Sequence, residues 1–419
     1  MLVPLPPHGV LSTQPALPIS RNTALLSASL AANSAMLQLS AAVASITLVL
    51  VLDVEGLLGL GPAIVLASGA LAALPAGRAM DRVGRVPVLA AGFLTGAAGC
   101  GLAALGSALE FAPVVLAGLA GVGAASGVAL LARTAAGDMY PPERRARGIA
   151  LVLFGAVFGA LLGPAVFSPL LSGRDLDGDA LVPLWLAAGA IMLVGLALVM
   201  AVRPDPRRIA ALISPGDEHE SSPAAPLGEL LRRPGVIPSL LAAQASFAVM
   251  VALMTLTGAV VVDHHGHEGH NVFPIIAAHV IGMYALVIVV GDIIDRTGRI
   301  PALGGGLLIM MVSAISLIWI ESVPAMSISL FGLGLGWNFS FVAATAELAD
   351  RSRPTERGKL LGFNDLLSGG TGAALALAGG LALSEIGVAA LAIGGAVLLA
   401  MPAVWILRGW RRVPLSSAP

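Results

Sequence analysis

Long apolar runs alternate with short polar breaks along the chain. A helix needs roughly 20 apolar residues to cross the hydrocarbon core of a bilayer. Twelve stretches reach that length, at about 25–51, 56–79, 87–109, 112–137, 148–171, 181–202, 237–262, 273–294, 300–320, 323–348, 359–383 and 386–407. Hydrocarbon offers no water to backbone groups, so runs of this kind predict membrane-spanning helices. A transmembrane β-barrel would show short alternating segments instead. The longest polar break, 203–236, divides the runs into two sets of six. The predicted organisation is a tail (1–21), a six-helix bundle (22–203), a central loop (204–236), a second six-helix bundle (237–412) and a second tail (413–419). The first 20 residues are proline-rich and lack a charged stretch ahead of an apolar core, so no cleavable signal peptide is expected.

Composition agrees with this reading. Of 419 residues, 57% are hydrophobic and 11% charged, against about 25% charged in soluble proteins. A water-soluble enzyme, a disordered chain and a nucleic-acid binder are thereby excluded. The 51 glycines suit close helix packing in a membrane. Cys100 is the single cysteine, which rules out an intramolecular disulfide and a thiolate metal cluster.

The net charge of −1 is uninformative, but its distribution is not. With the N-terminus inside, every Lys and Arg except Arg133 and Arg174 falls in a cytoplasmic segment. The outer loops carry Asp53, Glu55, Glu110, Asp175, Asp177, Asp179, Asp263, Glu268, Glu321 and Glu385. This positive-inside bias predicts a multi-pass protein of the cytoplasmic (inner) membrane with both termini cytoplasmic.

A repeat sharpens the picture. Gly77-Arg-Ala-Met-Asp81-Arg82-Val-Gly84-Arg85 follows span 2, and Gly291-Asp-Ile-Ile-Asp295-Arg296-Thr-Gly298-Arg299 follows span 8. Asp138-Met-Tyr-Pro-Pro-Glu143-Arg144 ends span 4, and Asp350-Arg-Ser-Arg-Pro-Thr-Glu356-Arg357 ends span 10. Two parallel repeats are visible. Glycine lets the chain reverse tightly, and an aspartate at a helix end can pair with arginine and accept backbone N–H groups. The other reading is a plain basic loop.

The nine-residue motif resembles motif A of the major facilitator superfamily, in both copies. The resemblance spans nearly the whole chain and implies an all-α membrane fold: twelve helices in two pseudo-symmetric six-helix bundles, rocking about a central cavity in a monomer. There are departures. The arginine that many proton-coupled members carry in span 4 aligns with Ala117. Gly155-x3-Gly159-x3-Gly163-Pro164 partly resembles the antiporter motif C, and is equally a generic close-packing surface.

Intramembrane polar groups are functional candidates. Met250 and Met254 in span 7, and His279 and Met283 in span 8, are i,i+4 pairs that each share a helix face. Three thioethers and an imidazole form a soft set that selects Cu(I). The alternatives are methionine as core filler and a histidine bonding a neighbouring helix. This MxxxM and HxxxM spacing resembles the CcoA-like copper importers of the superfamily. So do Met254-Thr-Leu-Thr257, Gly336-Trp337-Asn338-Phe339 and Phe363-Asn364-Asp365. The resemblance implies copper as transported ion and copper chaperones as partners. The same broader group contains riboflavin transporters.

His264, His265, His267 and His270 cluster in the loop between spans 7 and 8, either capturing metal or forming a solvated loop. Arg133 and Glu347 are expected to pair near the ends of spans 4 and 10. Asp365 is a candidate proton carrier if buried, and His279 offers another titrating route. Lys359 is the only lysine and no GxxxxGK[ST] motif surrounds it, so a P-loop ATPase is excluded. No catalytic constellation and no resident cofactor are expected. The leading reading is a secondary-active copper importer. The alternatives are an organic-solute carrier, either a drug/proton efflux antiporter or a riboflavin-type importer, and a non-transporting metal sensor.

Overall fold

The computed structural model describes residues 17–52, 60–161, 178–213, 224–268 and 271–410. All regular elements among them are helical. The first half contains α1 (Ile19–Leu52), α2 (Leu60–Val83), α3 (Arg85–Ala108), α4 (Ala112–Leu130), α5 (Ala132–Met139), α6 (Arg145–Leu153) and α7 (Gly178–Met200). The central segment carries α8 (Pro206–Ile213) and α9 (Leu227–Arg232). The second half contains α10 (Val236–Ala259), α11 (Val272–Tyr284), α12 (Val287–Thr297), α13 (Arg299–Ser316), α14 (Val323–Asp350), α15 (Arg357–Glu385) and α16 (Val388–Trp410).

Eight helices among the described residues are long and apolar enough to cross a membrane, or nine if α11 and α12 make one span bent by 41°. The other expected spans correspond to α1 with 34 residues, α15 with 29, and α6 with its helical continuation at 155–161. Span 4 runs as α4 and α5, with the break just ahead of Arg133. The α2–α3 and α12–α13 reversals turn on Gly84 at φ 102° and Gly298 at φ 93°. A side chain is strained at such angles, which is why the repeated motif keeps glycine there.

Lipid tails are as apolar as leucine, so helices associate in a membrane through close packing rather than hydrophobic drive. In the first half α3 packs on α4 and α7, α2 on α4, and α1 on α7; in the second α13 packs on α14 and α16, α11 on α14, and α10 on α15. The halves meet at α2 against α15 and at α6 against α12. At the first seam, a Cβ added to Gly77 would overlap the Gly358 carbonyl, and one added to Gly362 would overlap the Ala73 carbonyl. Backbone therefore rests on backbone across the seam. At the second, a Cβ on Gly291 would fall 2.7 Å from the Ala150 methyl.

Gly77→Val is therefore expected to keep the halves from docking at this seam while leaving each bundle intact. In a Cys100→Ala background, a Thr345→Cys reporter between the halves should be alkylated at least about tenfold faster with the valine present, at unchanged expression. An unchanged labelling rate would show that the seam tolerates the added bulk.

Candidate functional site

Beside the two seams lies a charged network with approximate two-fold symmetry. The Asp81 carboxylate accepts the backbone N–H of Gly358 at 2.9 Å and of Lys359 at 2.6 Å, in the first turn of α15. The Asp295 carboxylate accepts those of Ala146 at 3.2 Å and Arg147 at 2.9 Å, in the first turn of α6. Each aspartate thus places a negative charge on the positive end of a helix from the opposite half. Arg85 and Arg299, one turn beyond, pair with Asp81 at 2.9 Å and Asp295 at 2.5 Å.

The second layer repeats the pattern. Asp138 bridges Arg85 at 2.6 Å and Arg357 at 2.8 Å. Asp350 bridges Arg299 at 3.3 Å and Arg145. Arg85 also donates to the Pro354 carbonyl, and Arg299 to that of Pro142. The copies differ in depth, since the Arg85 side chain is fully buried and that of Arg299 is 10% exposed. Arg82 and Arg296 are exposed, so Arg85 and Arg299 are the arginines that act in the motif. The partner equivalent to Arg357 is Arg145, not Arg144, which is exposed.

Between the latch and the far ends of the helices lies a cavity of about 430 Å³. It extends from Asp365 to Pro62 in the first turn of α2. Trp337 and Phe341 stack at 4.6 Å with planes 16° apart, and Tyr284 meets Trp337 edge-on at 6.0 Å. All three rings line the cavity with Phe247, while Asn33, Ser40, Ser126 and Asp365 supply polar atoms.

Asp365 pairs with Arg133 across the halves. Arg133 also donates to Thr345 and to the Leu130 carbonyl, and lies 4.7 Å over the Phe341 ring. Glu347 bonds Arg351 at 2.8 Å. The expected Arg133–Glu347 pair is thus replaced by two others. The α4–α5 break turns Arg133 toward the cavity floor, and Glu347 finds an arginine one turn along its own helix.

The four soft-ligand candidates are divided. Met250 and Met283 line the cavity, whereas Met254 and His279 do not. His279 is fully buried and its Nδ1 meets the Leu330 carbonyl of α14 at 3.0 Å. It clasps α11 to α14 at a crossing so tight that a Cβ on Gly334 would overlap the His279 carbonyl. In the loop between α10 and α11, His267 donates from Nε2 to the Glu321 carbonyl at 2.7 Å, and the rings of His265 and His267 lie 6.5 Å apart. His264 closes a π-helical turn, Val260–His264, and His270 lies outside the described residues. Among the described residues no three His, Cys, Asp or Glu side chains gather as a metal site.

A family model described as Major Facilitator Superfamily matches residues 23–346. The chain belongs to that superfamily. The uncharacterized MFS-type transporter YdeG of Bacillus subtilis (strain 168) is 31% identical over 370 residues, covering 85% of each chain. The riboflavin transporter RfnT of Brucella anthropi is 32% identical over 304 residues, covering 72% of this chain and 74% of its own. The E. coli fucose:proton symporter FucP superposes with TM-score 0.75 at 15% identity, over 95% of this chain and 99% of that one. The human organic anion transporter MFSD10 (TETRAN) gives 0.72 at 16%, over 93% and 100%. These two structures share the fold.

The central segment of this superfamily member straps the charged network. Asp205, after α7, accepts the N–H groups of Arg85 and Val86 at 2.9 Å and so caps α3. Glu356 accepts from Arg233 at 2.7 and 3.0 Å and from the Ala225 backbone at 3.1 Å. The central segment is thereby tied to the start of α15. Burial opposes charge on Glu356, but Arg233 and the Arg353 and Ala225 N–H groups outweigh it and hold the carboxyl below its ordinary range.

Two outcomes follow. Asp81→Asn and Asp295→Asn should each weaken the closed end by about 2 kcal/mol, a shift of roughly 30-fold in the closed-to-open ratio. Thr345→Cys labelling reads that shift, and equal rates in variant and parent would remove the latch role. The Glu356 tie should be complete above the ordinary carboxyl pKa of 4.5 and lost only as pH falls through a lower value. Limited proteolysis of the 224–235 segment across pH 3–7 checks this: Glu356→Gln should be cleaved readily throughout, and the parent only at the acid end.

Proposed function

We propose that this protein is a secondary transporter working by alternating access, and that its cargo is a flat organic solute of the riboflavin class. The observation that carries this reading is the aromatic wall of Tyr284, Trp337 and Phe341 in a cavity of about 430 Å³. Small-molecule sites run from about 300 to 1,000 Å³, with apolar and aromatic walls and a few polar groups. Offset-stacked and edge-to-face rings favour a planar guest. The likeness to a riboflavin transporter supports the same class.

Two bundles, 22–203 and 237–412, rock as units about the cavity. The arginine-rich end faces the cytoplasm by the positive-inside bias, so the latched state is the outward-facing one. The Arg133–Asp365 pair lies at the cavity floor between the halves. A solute that engaged Asp365 would loosen Arg133 and couple loading to release of the latched end.

Copper import is the second reading, favoured by Met250 and Met283 sharing the cavity. Against it, Met254 and His279 do not line that cavity, although the Nδ1–Leu330 bond leaves the His279 Nε2 without a protein partner among the described residues. Copper chaperones as partners belong to this reading alone, as does metal capture by the outer histidines.

Uptake of labelled riboflavin and of copper, measured in cells with and without the protein, separates the two. Under the organic reading, Trp337→Ala should cut riboflavin uptake about tenfold or more. Met250→Leu with Met283→Leu keeps volume and should leave that uptake within about twofold. Copper accumulation that depends on the protein and vanishes in the double leucine variant would reverse the assignment.

A further inference from the structure

Beside the latch, on the face away from the central cavity, a second cavity of about 490 Å³ opens between the halves. Arg145, Arg233, Arg351, Arg353 and Arg357 line it, with Asp350 the one carboxylate. Arg145 and Arg357 are buried, at 4% and 6% exposure. Each is fixed by Nε–H to a carbonyl, of Gly137 and Ala349, and by Nη1 to a carboxylate, Asp350 and Asp138. A guanidinium carries five N–H donors in a planar fork. The Nη2 groups of both have no protein acceptor among the described residues. The carboxylates that balance Arg233, Arg351 and Arg357 lie outside the lining, and Arg353 is engaged as well. Among the described residues the cavity lining is thus richer in fixed donors than in acceptors.

We propose that this cavity binds a phosphate-class anion, free or as a lipid headgroup, and that binding holds this end of the protein closed. Planar guanidinium forks match phosphate oxygens in bidentate fashion, which suits five arginines better than a spherical halide does. The lining comes from both halves, with Arg145 from the first and Arg351, Arg353 and Arg357 from the second. It is complete only when the halves are docked. A ligand that binds the docked state alone stabilises it by mass action, about 100-fold at 100 times its Kd. The proposal does not depend on which solute the central cavity carries.

The test uses the full chain with Cys100→Ala and Thr345→Cys, purified in a neutral detergent. Inorganic phosphate and pyrophosphate are titrated at ionic strength held constant with chloride, and maleimide labelling is followed. A second arm compares vesicles of phosphatidylcholine with vesicles containing phosphatidylglycerol, without added phosphate. We expect saturable protection of at least about tenfold, lost when Arg351→Gln and Arg353→Gln are combined, with saturable heat of pyrophosphate binding to the parent. Protection only in the phosphatidylglycerol vesicles would support the site and identify the headgroup as its source. Labelling that is equal under phosphate and chloride and equal in both vesicles would overturn the proposal. So would protection that persists undiminished in the double glutamine variant while its unfolding temperature matches that of the parent.

Discussion

An aspartate in each half lends its carboxylate to the first N–H groups of a helix in the other half, and the docked arrangement hangs on that exchange. A helix start carries unbonded N–H groups and a partial positive charge. Asp81 serves α15 and Asp295 serves α6. The arginine one turn later pairs with each carboxylate and aims it. Both bonds exist only while the halves touch, so the same groups that hold this end shut are satisfied by water once it opens.

That exchange requires backbone contact, and glycine provides it. Gly77 faces Gly358 with no room for a methyl group between them. A wider seam would carry Asp81 out of reach of the α15 amides. Local turn, seam and salt bridge are thus one unit, which accounts for Gly77, Asp81, Gly84 and Arg85 lying within nine residues of chain. The strap from Ala225 to Glu356, with the cap of Asp205 on α3, adds chain connectivity to a contact that otherwise depends on the two bundles alone.

Above the latch the chemistry changes. Rings and small residues line the central cavity, and Arg133 with Asp365 forms the floor that separates cavity from latch. An ion pair between halves at that depth is costly to leave unpaired. Whatever engages Asp365 from the cavity side acts directly on the energy that keeps the halves together. Met250 and Met283 contribute soft, polarisable surface to the same wall, a property that suits the face of an aromatic guest as well as a metal ion.

Hydropathy and charge placement, both local properties, were enough to read the spans, the two halves and the motif copies from the chain. The repeated segments even point to Asp138 and Asp350, although matching Glu143-Arg144 with Glu356-Arg357 puts the working arginine one residue early. Partners were beyond its reach. An i,i+4 spacing places two side chains on one face of a helix but does not say which neighbour that face meets. His279 turned to the Leu330 carbonyl because Gly282 and Gly334 bring α11 and α14 into backbone contact. Arg133 chose Asp365 over Glu347 because the break after α4 reorients it. The sequence determined which segments lie in the membrane and where they turn. Only the packing of helices far apart in the chain decided which buried charges meet, because rotation about a helix axis costs nothing until a neighbour is present.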